Sequence, residues 1–457
     1  MKRSDRPACH PRLPYSGQVA GRSEALMTDL YELTMAASYY AEDLNAPATF
    51  SLFIRNYPPN RSYFVAAGLE DVINYAMSLR FTEQDLEYLD QSGLFPKAFF
   101  RRLEKFSFSG RIHAMPEGSL FFPNEPIIEV TAPLMEAQIL ETYLINTIGF
   151  QTMIATKAAR CVQAAGGRNL VDFSFRRTHG IDAALKVARS SYLAGFAATS
   201  NVLAGKIFQI PLSGTMAHSY VSAFPSEIAA FRAFAKVFPD NAVFLIDTFD
   251  NLQGARNAAQ VAKEMAARGE HLRGVRLDSG DMAAISKDVR AILDAEGLPE
   301  TKIFASSGFD EYKIADVIEK GARIDAFGVG TKLGVSADAP YLDIVYKIVK
   351  SSGRDVRKLS PGKITLAGEK QVFRKTDHNG YYLEDIIGLR YEIIDTGKPL
   401  LKKVMDNGKP MRPPPSLEEL RNSFRENFAL LDNKYKSLRA TIVYPVTLSN
   451  RLLQLQS

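Results

Sequence analysis

Cysteine is nearly absent: the 457 residues hold two, Cys9 and Cys161. Two such thiols make no disulfide framework, which excludes a stapled miniprotein and suits a reducing, cytoplasmic setting. Long apolar runs are missing too. The longest uncharged stretch that could suggest a membrane span, Ile207 to Ser226, is interrupted by Pro211, Ser213, Gly214, His218 and Pro225, which a bilayer does not accept. An excess of either charge is also small, with 56 Lys plus Arg against 51 Asp plus Glu, a net +5. The first 24 residues carry five basic residues, two acidic residues and three prolines, so they supply +3 of that excess and leave +2 on the rest. No electrostatic case for a nucleic-acid partner remains. The same opening segment lacks the apolar run of a signal peptide and reads as a disordered extension. There is no Walker loop of the Gly-x-x-x-x-Gly-Lys-Ser/Thr kind and no solenoid repeat.

What is present is an ordinary globular composition, 46% apolar and 23% charged, long enough for two or three domains. From about Asp172 to Thr331 one grammar repeats: a short apolar run ending in polar residues or glycine, then a helical pattern. The runs are Val171 to Phe175, Lys206 to Ile210, Val243 to Ile246, Gly274 to Leu277, Lys302 to Ala305 and Ile324 to Phe327. Their spacing is that of βα units, and it fits a barrel or an open parallel sheet equally well. Ser226, Asp281 and Asp310 stand where helix caps belong, with Gly321 at a helix stop. Ala25 to about Gly149 mixes helical and strand-like stretches and reads as a second domain. Near the other end, Pro413-Pro414-Pro415 precedes a capping box at Ser416-Leu417-Glu418-Glu419. The segments expected are residues 25–150, 151–349 for the parallel unit, and 350–457 packing back on the first. Between Tyr341 and Gly380, nine basic residues against four acidic ones read as a solvated face.

In a parallel α/β protein the strand ends share one face, and function gathers there. Here those ends deliver Arg176-Arg177, Ser213 to Ser219, Asp247-Thr248-Phe249-Asp250, Arg276 to Asp281, Ser306-Ser307-Gly308 and Gly328 to Thr331. Glycine and serine let backbone N–H groups cradle a phosphate, arginines hold oxyanions, and carboxylates suit ribose hydroxyls or Mg²⁺. Each motif alone has a plain structural reading as a turn, a cap or a solvated pair. Six successive strand ends with compatible chemistry argue for a site.

With these residues in view, the chain resembles the nicotinate phosphoribosyltransferases, a family of type II phosphoribosyltransferases. The likeness rests on Thr28-Asp29-Leu30-Tyr31-Glu32-Leu33-Thr34-Met35, Asn201 to Lys206, Ser213 to Ser219, Val275 to Asp281 and Lys358 to Lys363. One departure is Phe173-Ser174-Phe175-Arg176-Arg177, where many relatives read Phe-Gly-Leu-Arg-Arg. The resemblance implies an irregular TIM-like α/β barrel, an α/β sandwich domain built from both chain ends, and a homodimer with shared sites. It implies that nicotinate and phosphoribosyl pyrophosphate become nicotinate mononucleotide and pyrophosphate in NAD salvage, with Mg²⁺ as cofactor and ATP as co-substrate.

Residue by residue, the resemblance assigns Phe173 to stack on nicotinate and Arg276, Thr215 and Ser219 to bind substrate. Tyr31 would close the slot from the partner subunit. Ser307, Gly308, Gly330 and Thr331 would take the 5′-phosphate, Arg176 would stabilise substrate oxyanions, and Asp278 with Asp247 would hold ribose or Mg²⁺. His218 would carry the phosphoryl group of ATP as phosphohistidine. The nearest rival is a nicotinamide phosphoribosyltransferase. Those relatives carry an Asp in the stretch matching Thr199 to Val202, where this chain has Ser200. A sugar-phosphate aldolase or isomerase would also want the glycine and serine loops but would leave Ser213 to Ser219 unexplained. A non-catalytic protein on the same fold is opposed by the set Arg276, Asp278 and His218.

Overall fold

The computed structural model describes residues 24–457; the expected extension, residues 1–24, lies outside them apart from Glu24. Six short parallel strands make one sheet. Its spatial order is Ala198–Thr199, Asn169–Asp172, Ala326–Val329, Lys302–Ala305, Gly274–Leu277, Val243–Leu245. The first and last strands of this sheet in chain order, Asn169–Asp172 and Ala326–Val329, are neighbours, as in a barrel. The second and third are not, so the barrel stays open between Ala198–Thr199 and Val243–Leu245. Residues 200–242 run through that gap, touching the sheet by a bridge from Leu212 to Thr199.

One expected strand is a helix. Lys206 to Ile210 ends the helix Val202–Phe208, which starts because the Asn201 side chain accepts a hydrogen bond from Ala204 N at 3.1 Å. A five-residue apolar run fits either period, and the cap decides it. The strand of that unit is instead Ala198–Thr199. The first strand likewise stops at Asp172, short of Phe175, since Asp172 Oδ1 accepts from Ser174 N at 2.9 Å and turns the chain into the 3₁₀ turn Phe175–Arg177. The last begins two residues late, at Ala326, and runs on to Val329.

Local signals held where they were local. Ser226, Asp281 and Asp310 each cap a helix through a side-chain oxygen, and Ser416 with Glu419 forms the reciprocal box.

The second layer is a seven-stranded sheet in which three early strands are flanked on both sides by late ones. Its order is Arg354–Asp355, Ile344–Ser351, Pro47–Ile54, Ile128–Pro133, Arg111–Ala114, Lys402–Asp406, Lys409–Pro410, paired antiparallel throughout. A four-stranded sheet built on Lys370–Thr376 and Tyr382–Leu389 completes this half. Both chain ends thus make one α/β sandwich. The 25-residue helix Glu141–Ala165 ties it to the barrel: Leu144 and Ile148 belong to the sandwich core, Met153 to Ala165 to the barrel core. Among the described residues no helix is long and apolar enough to cross a membrane.

The expected solvated face at 341–380 is only partly that. Lys370 and Arg374 are buried, at 3% and 4% exposure. Lys370 pairs with Glu129 at 3.1 Å and Arg374 with Asp385 at 2.5 Å. A basic residue with a buried carboxylate opposite it need not face water.

A larger ionic joint fastens barrel to sandwich. Glu311 accepts from Arg160 Nε at 2.9 Å and Lys157 Nζ at 2.5 Å. Lys157 and Arg61 also reach Asp338, at 2.6 and 2.9 Å. Arg160 further donates to the carbonyls of Asn60 and Leu438, at 2.5 and 2.8 Å.

Two groups, Glu32 buried and His113 half-buried, set a dependence on pH. Burial pushes Glu32 up to about 7 even though Thr142 and Thr28 donate to it, and burial, reinforced by Arg390, pushes His113 down to about 4. Glu32 is protonated when folded and ionised when unfolded, so its contribution is present at low pH and is lost as pH rises from about 4.5 through 7. His113 works the other way, its contribution fading as pH falls from 6.5 through about 4. Glu32→Gln keeps an acceptor for Thr142 and has no charge to bury. Thermal melts at pH 5 and pH 8 should therefore show the variant gaining on the parent at the higher pH; a difference independent of pH would refute the assignment.

Candidate functional site

The C-terminal strand ends of the open barrel meet in one cup, and Arg276 is its hub. It lies in the strand Gly274–Leu277 with its side chain 12% exposed. Its Nε donates to Ser306 Oγ at 2.9 Å, Nη1 to Thr215 Oγ1 and the Met216 carbonyl at 2.9 Å each, and Nη2 to Asp278 Oδ1 at 3.3 Å. One side chain thereby ties the segment crossing the barrel gap to two strand ends. A guanidinium has five N–H donors, so one remains to meet a ligand while these contacts hold. The guanidinium also stands 5.8 Å from the centroid of the Phe173 ring.

Phe173 follows the first strand, and its N–H donates to the Val329 carbonyl at 2.8 Å. Gly328 makes room for the ring: a Cβ there would lie 2.7 Å from Phe173 Cδ2. A flat apolar surface with a cation beside it results.

Asp278 links Arg276 to His218. Its Oδ1 also accepts from the Ser306 hydroxyl, and its Oδ2 stands 3.8 Å from His218 Nε2. On the other side of the imidazole, Nδ1 lies 3.1 Å from Thr248 Oγ1. His218 opens the short helix His218–Ser222 inside the crossing segment, and its side chain remains 45% exposed. Asp247 Oδ2 accepts from Asp278 N at 2.9 Å and from Ser279 Oγ at 2.7 Å, while Oδ1 is buried without a protein partner.

Beside this group lie the two glycine turns. Ser307 and Gly308 follow Lys302–Ala305, with φ of +103° and +62°; Gly330 and Thr331 follow Ala326–Val329. The fold therefore assembles Phe173, Thr215, His218, Asp247, Arg276 and Asp278 in direct contact, with the four turn residues on neighbouring strand ends.

Three expected residues stand apart. Arg176 is exposed on its 3₁₀ turn and Ser219 is exposed on the short helix. Tyr31 belongs to the helix Leu30–Ala41 of the sandwich, 44% exposed, where burial and the nearby Glu141, Glu32 and Asp29 raise its pKa. Sequence reasoning gave no role to Ser306 or Thr248, although both lie in the strand-end loops it singled out. Asp310 was read as a cap alone, and Lys313 and Lys332 were passed over. The signal for Lys313 was its place three residues after that cap, since helical side chains lean toward the N-terminus and so toward the strand end.

No group of three or more His, Cys, Asp or Glu among the described residues could hold a metal ion alone. Mg²⁺ commonly takes one or two carboxylates and completes its shell with water and substrate phosphates. The unpartnered Asp247 Oδ1, with Asp278 next to it, fits that manner of binding.

Such a cluster of arginine, carboxylate, imidazole and aromatic side chains at the strand ends defines an α/β-barrel protein with one polar site at that face. Comparison with known proteins narrows this. Residues 26–149 match the nicotinate phosphoribosyltransferase (NAPRTase) N-terminal domain, 168–377 the NAPRTase family and 395–456 the C-terminal domain. The chain is 48% identical over 431 residues to nicotinate phosphoribosyltransferase pncB2 of Mycobacterium tuberculosis, covering 94% of this chain and 92% of that one. It is 40% identical over 458 residues to nicotinate phosphoribosyltransferase of Bacillus subtilis, covering 93% of each. The crystal structure of human nicotinic acid phosphoribosyltransferase superposes with a TM-score of 0.85 at 29% identity, covering 94% of this chain and 99% of that one. The chain belongs to the nicotinate phosphoribosyltransferase family.

Proposed function

We propose that this protein joins nicotinate to phosphoribosyl pyrophosphate, giving nicotinate mononucleotide and pyrophosphate for NAD salvage, and couples the transfer to ATP hydrolysis through His218. The observation that carries the reading is the continuous contact from Phe173 through Arg276 and Asp278 to His218. It supports the reading because an aromatic face, a guanidinium, a carboxylate and an imidazole follow one another along it.

Nicotinate lies against Phe173, with its carboxylate toward the free Arg276 N–H and Thr215. Its ring nitrogen attacks the anomeric carbon of the ribose as the bond from that carbon to pyrophosphate breaks, and Asp278 and Asp247 hold the ribose hydroxyls or the metal. Asp247 and Asp278 would hold Mg²⁺, whose positive charge would stabilise the pyrophosphate leaving group. The 5′-phosphate rests on Ser307, Gly308, Gly330 and Thr331. Arg176 and Ser219, both exposed, meet substrate oxygens from the rim, and Tyr31 closes the slot of a second copy in a homodimer.

The coupling step needs a lone pair on the imidazole. In the tautomer with Nε2–H toward Asp278 the lone pair is on Nδ1, where it accepts from the Thr248 hydroxyl, and that hydrogen bond breaks as Nδ1 attacks. Nδ1 attacks the γ-phosphorus of ATP, the bond to the β-phosphate oxygen breaks, and ADP leaves. Water later hydrolyses the P–N bond and releases phosphate.

Incubation with γ-labelled ATP should place on the protein a label stable to alkali and lost in acid. His218→Asn should abolish the label and the stimulation by ATP, while basal transfer persists at a reduced rate because Arg276 and the phosphate turns are untouched. A labelled Asn variant would put the nucleophile elsewhere. Parallel assays with nicotinate and nicotinamide decide the base.

A further inference from the structure

The Ser307-Gly308 turn is held by more than its own backbone. Ser307 sits at φ +103°, a region disfavoured for any residue with a side chain. Its carbonyl oxygen accepts a hydrogen bond from Lys313 Nζ at 2.6 Å. Lys313 is in the first turn of the helix Glu311–Glu319 and reaches back over the strand end, 4.8 Å above the Phe309 ring.

Across the gap between turns, Lys332 Nζ donates to Asp310 Oδ2 at 2.7 Å. Asp310 Oδ1 meanwhile accepts from the N–H of Lys313 at 2.8 Å, as the cap of that helix. One largely buried carboxylate thus links both turns, bonded to the Lys332 ammonium and to the backbone N–H of Lys313, whose own ammonium is on the Ser307 carbonyl. The local sum is one positive charge in excess, beside the cup, and the expected roles place no side-chain cation from this chain at these turns. Burial and the neighbouring Lys332 lower the Lys313 pKa, while Asp310 and Asp278 oppose the change.

We propose that Lys313 is a positioning residue for a phosphomonoester: it braces the Ser307-Gly308 turn and, with Lys332, balances a phosphate dianion held between that turn and Gly330-Thr331. The inference deepens the phosphate end of the substrate reading above and rests on it. No bond is made or broken by the lysine; its role is charge and geometry.

Ribose 5-phosphate is the probe, since its binding to the full-length protein, read by calorimetry, needs neither ATP nor nicotinate. Lys313→Met should weaken it by about tenfold or more and raise the KM for phosphoribosyl pyrophosphate to match, with the KM for nicotinate changed by less than about twofold. Lys313→Arg should recover most of the affinity, because it restores the charge. Equal ribose 5-phosphate affinity in the parent and a folded Lys313→Met variant overturns the proposal. So does an Arg variant no better than Met, which would leave Lys313 a brace for the turn alone. Should Lys313→Met not fold, Lys332→Met serves the same comparison: weakened ribose 5-phosphate binding supports the two-lysine site, and unchanged binding overturns it. Binding that depends on Lys313 in a protein that forms no mononucleotide would overturn the activity and leave the phosphate site standing.

Discussion

Arg276→Ala should lower kcat/KM for nicotinate by about 10³-fold, or ~4 kcal/mol, in line with losing two or more hydrogen bonds from a charged donor. The size follows from what the guanidinium holds. It fastens Ser306, Thr215, the Met216 carbonyl and Asp278 at once, so its removal costs the anion anchor and releases the segment that carries His218. Arg276→Lys should recover only part of the loss, about 10²-fold below the parent, because a point charge with three donors cannot span partners lying on three chain segments. Steady-state kinetics on the two variants checks this. Parent-like values in both would mean that nicotinate is anchored elsewhere and that the cup keeps its shape without the hub.

The largest loss of stability is expected at Glu311, which the reaction does not use. It is fully buried and pairs with three cations, Lys157, Arg160 and Arg61, of which only Lys157 and Arg61 also reach Asp338. Removing one carboxylate leaves three buried positive charges against a single acid. That arrangement costs ~3–5 kcal/mol when one partner of a buried pair is lost. Glu311→Ala should therefore shift the urea midpoint down with little change in slope. Asp294→Ala, which breaks the exposed pair with Arg290, should cost ~0–1 kcal/mol. Equal effects from the two substitutions would show that the joint is not what holds barrel to sandwich.

These contrasts also mark what could be read before the fold was known. Ser226, Asp281, Asp310 and Ser416 were legible as caps because a cap is settled within four residues. The strand ends were legible as a site because parallel strands share one face, and that argument brought Phe173, Thr215, His218, Asp247, Arg276 and Asp278 together. The open gap was not legible, since βα spacing is the same in a closed barrel and an open sheet. Lys206 to Ile210 was misread because five apolar residues carry no period of their own. Lys370 and Arg374 were misread because their carboxylates, Glu129 and Asp385, come from other strands. Lys313 escaped notice for a related reason: it reaches the cup from the side of a helix. Tyr31 lies on the sandwich helix Leu30–Ala41, with none of the six cup residues among its partners.

The flanking of early strands by late ones in the sandwich bears on how the chain is made. Ile54 pairs with Ile344, and these partners are 290 residues apart. At ~5–20 residues per second, a ribosome needs about 15–60 s to supply the second once the first has emerged. Throughout that interval Pro47–Ile54 has an open edge on the Ile344–Ser351 side, while the barrel strands, all contained between Asn169 and Val329, have every partner they need. The barrel can thus close ranks during synthesis. The sandwich has to wait for the end of the chain, and its apolar edge in the meantime is the natural client for a chaperone.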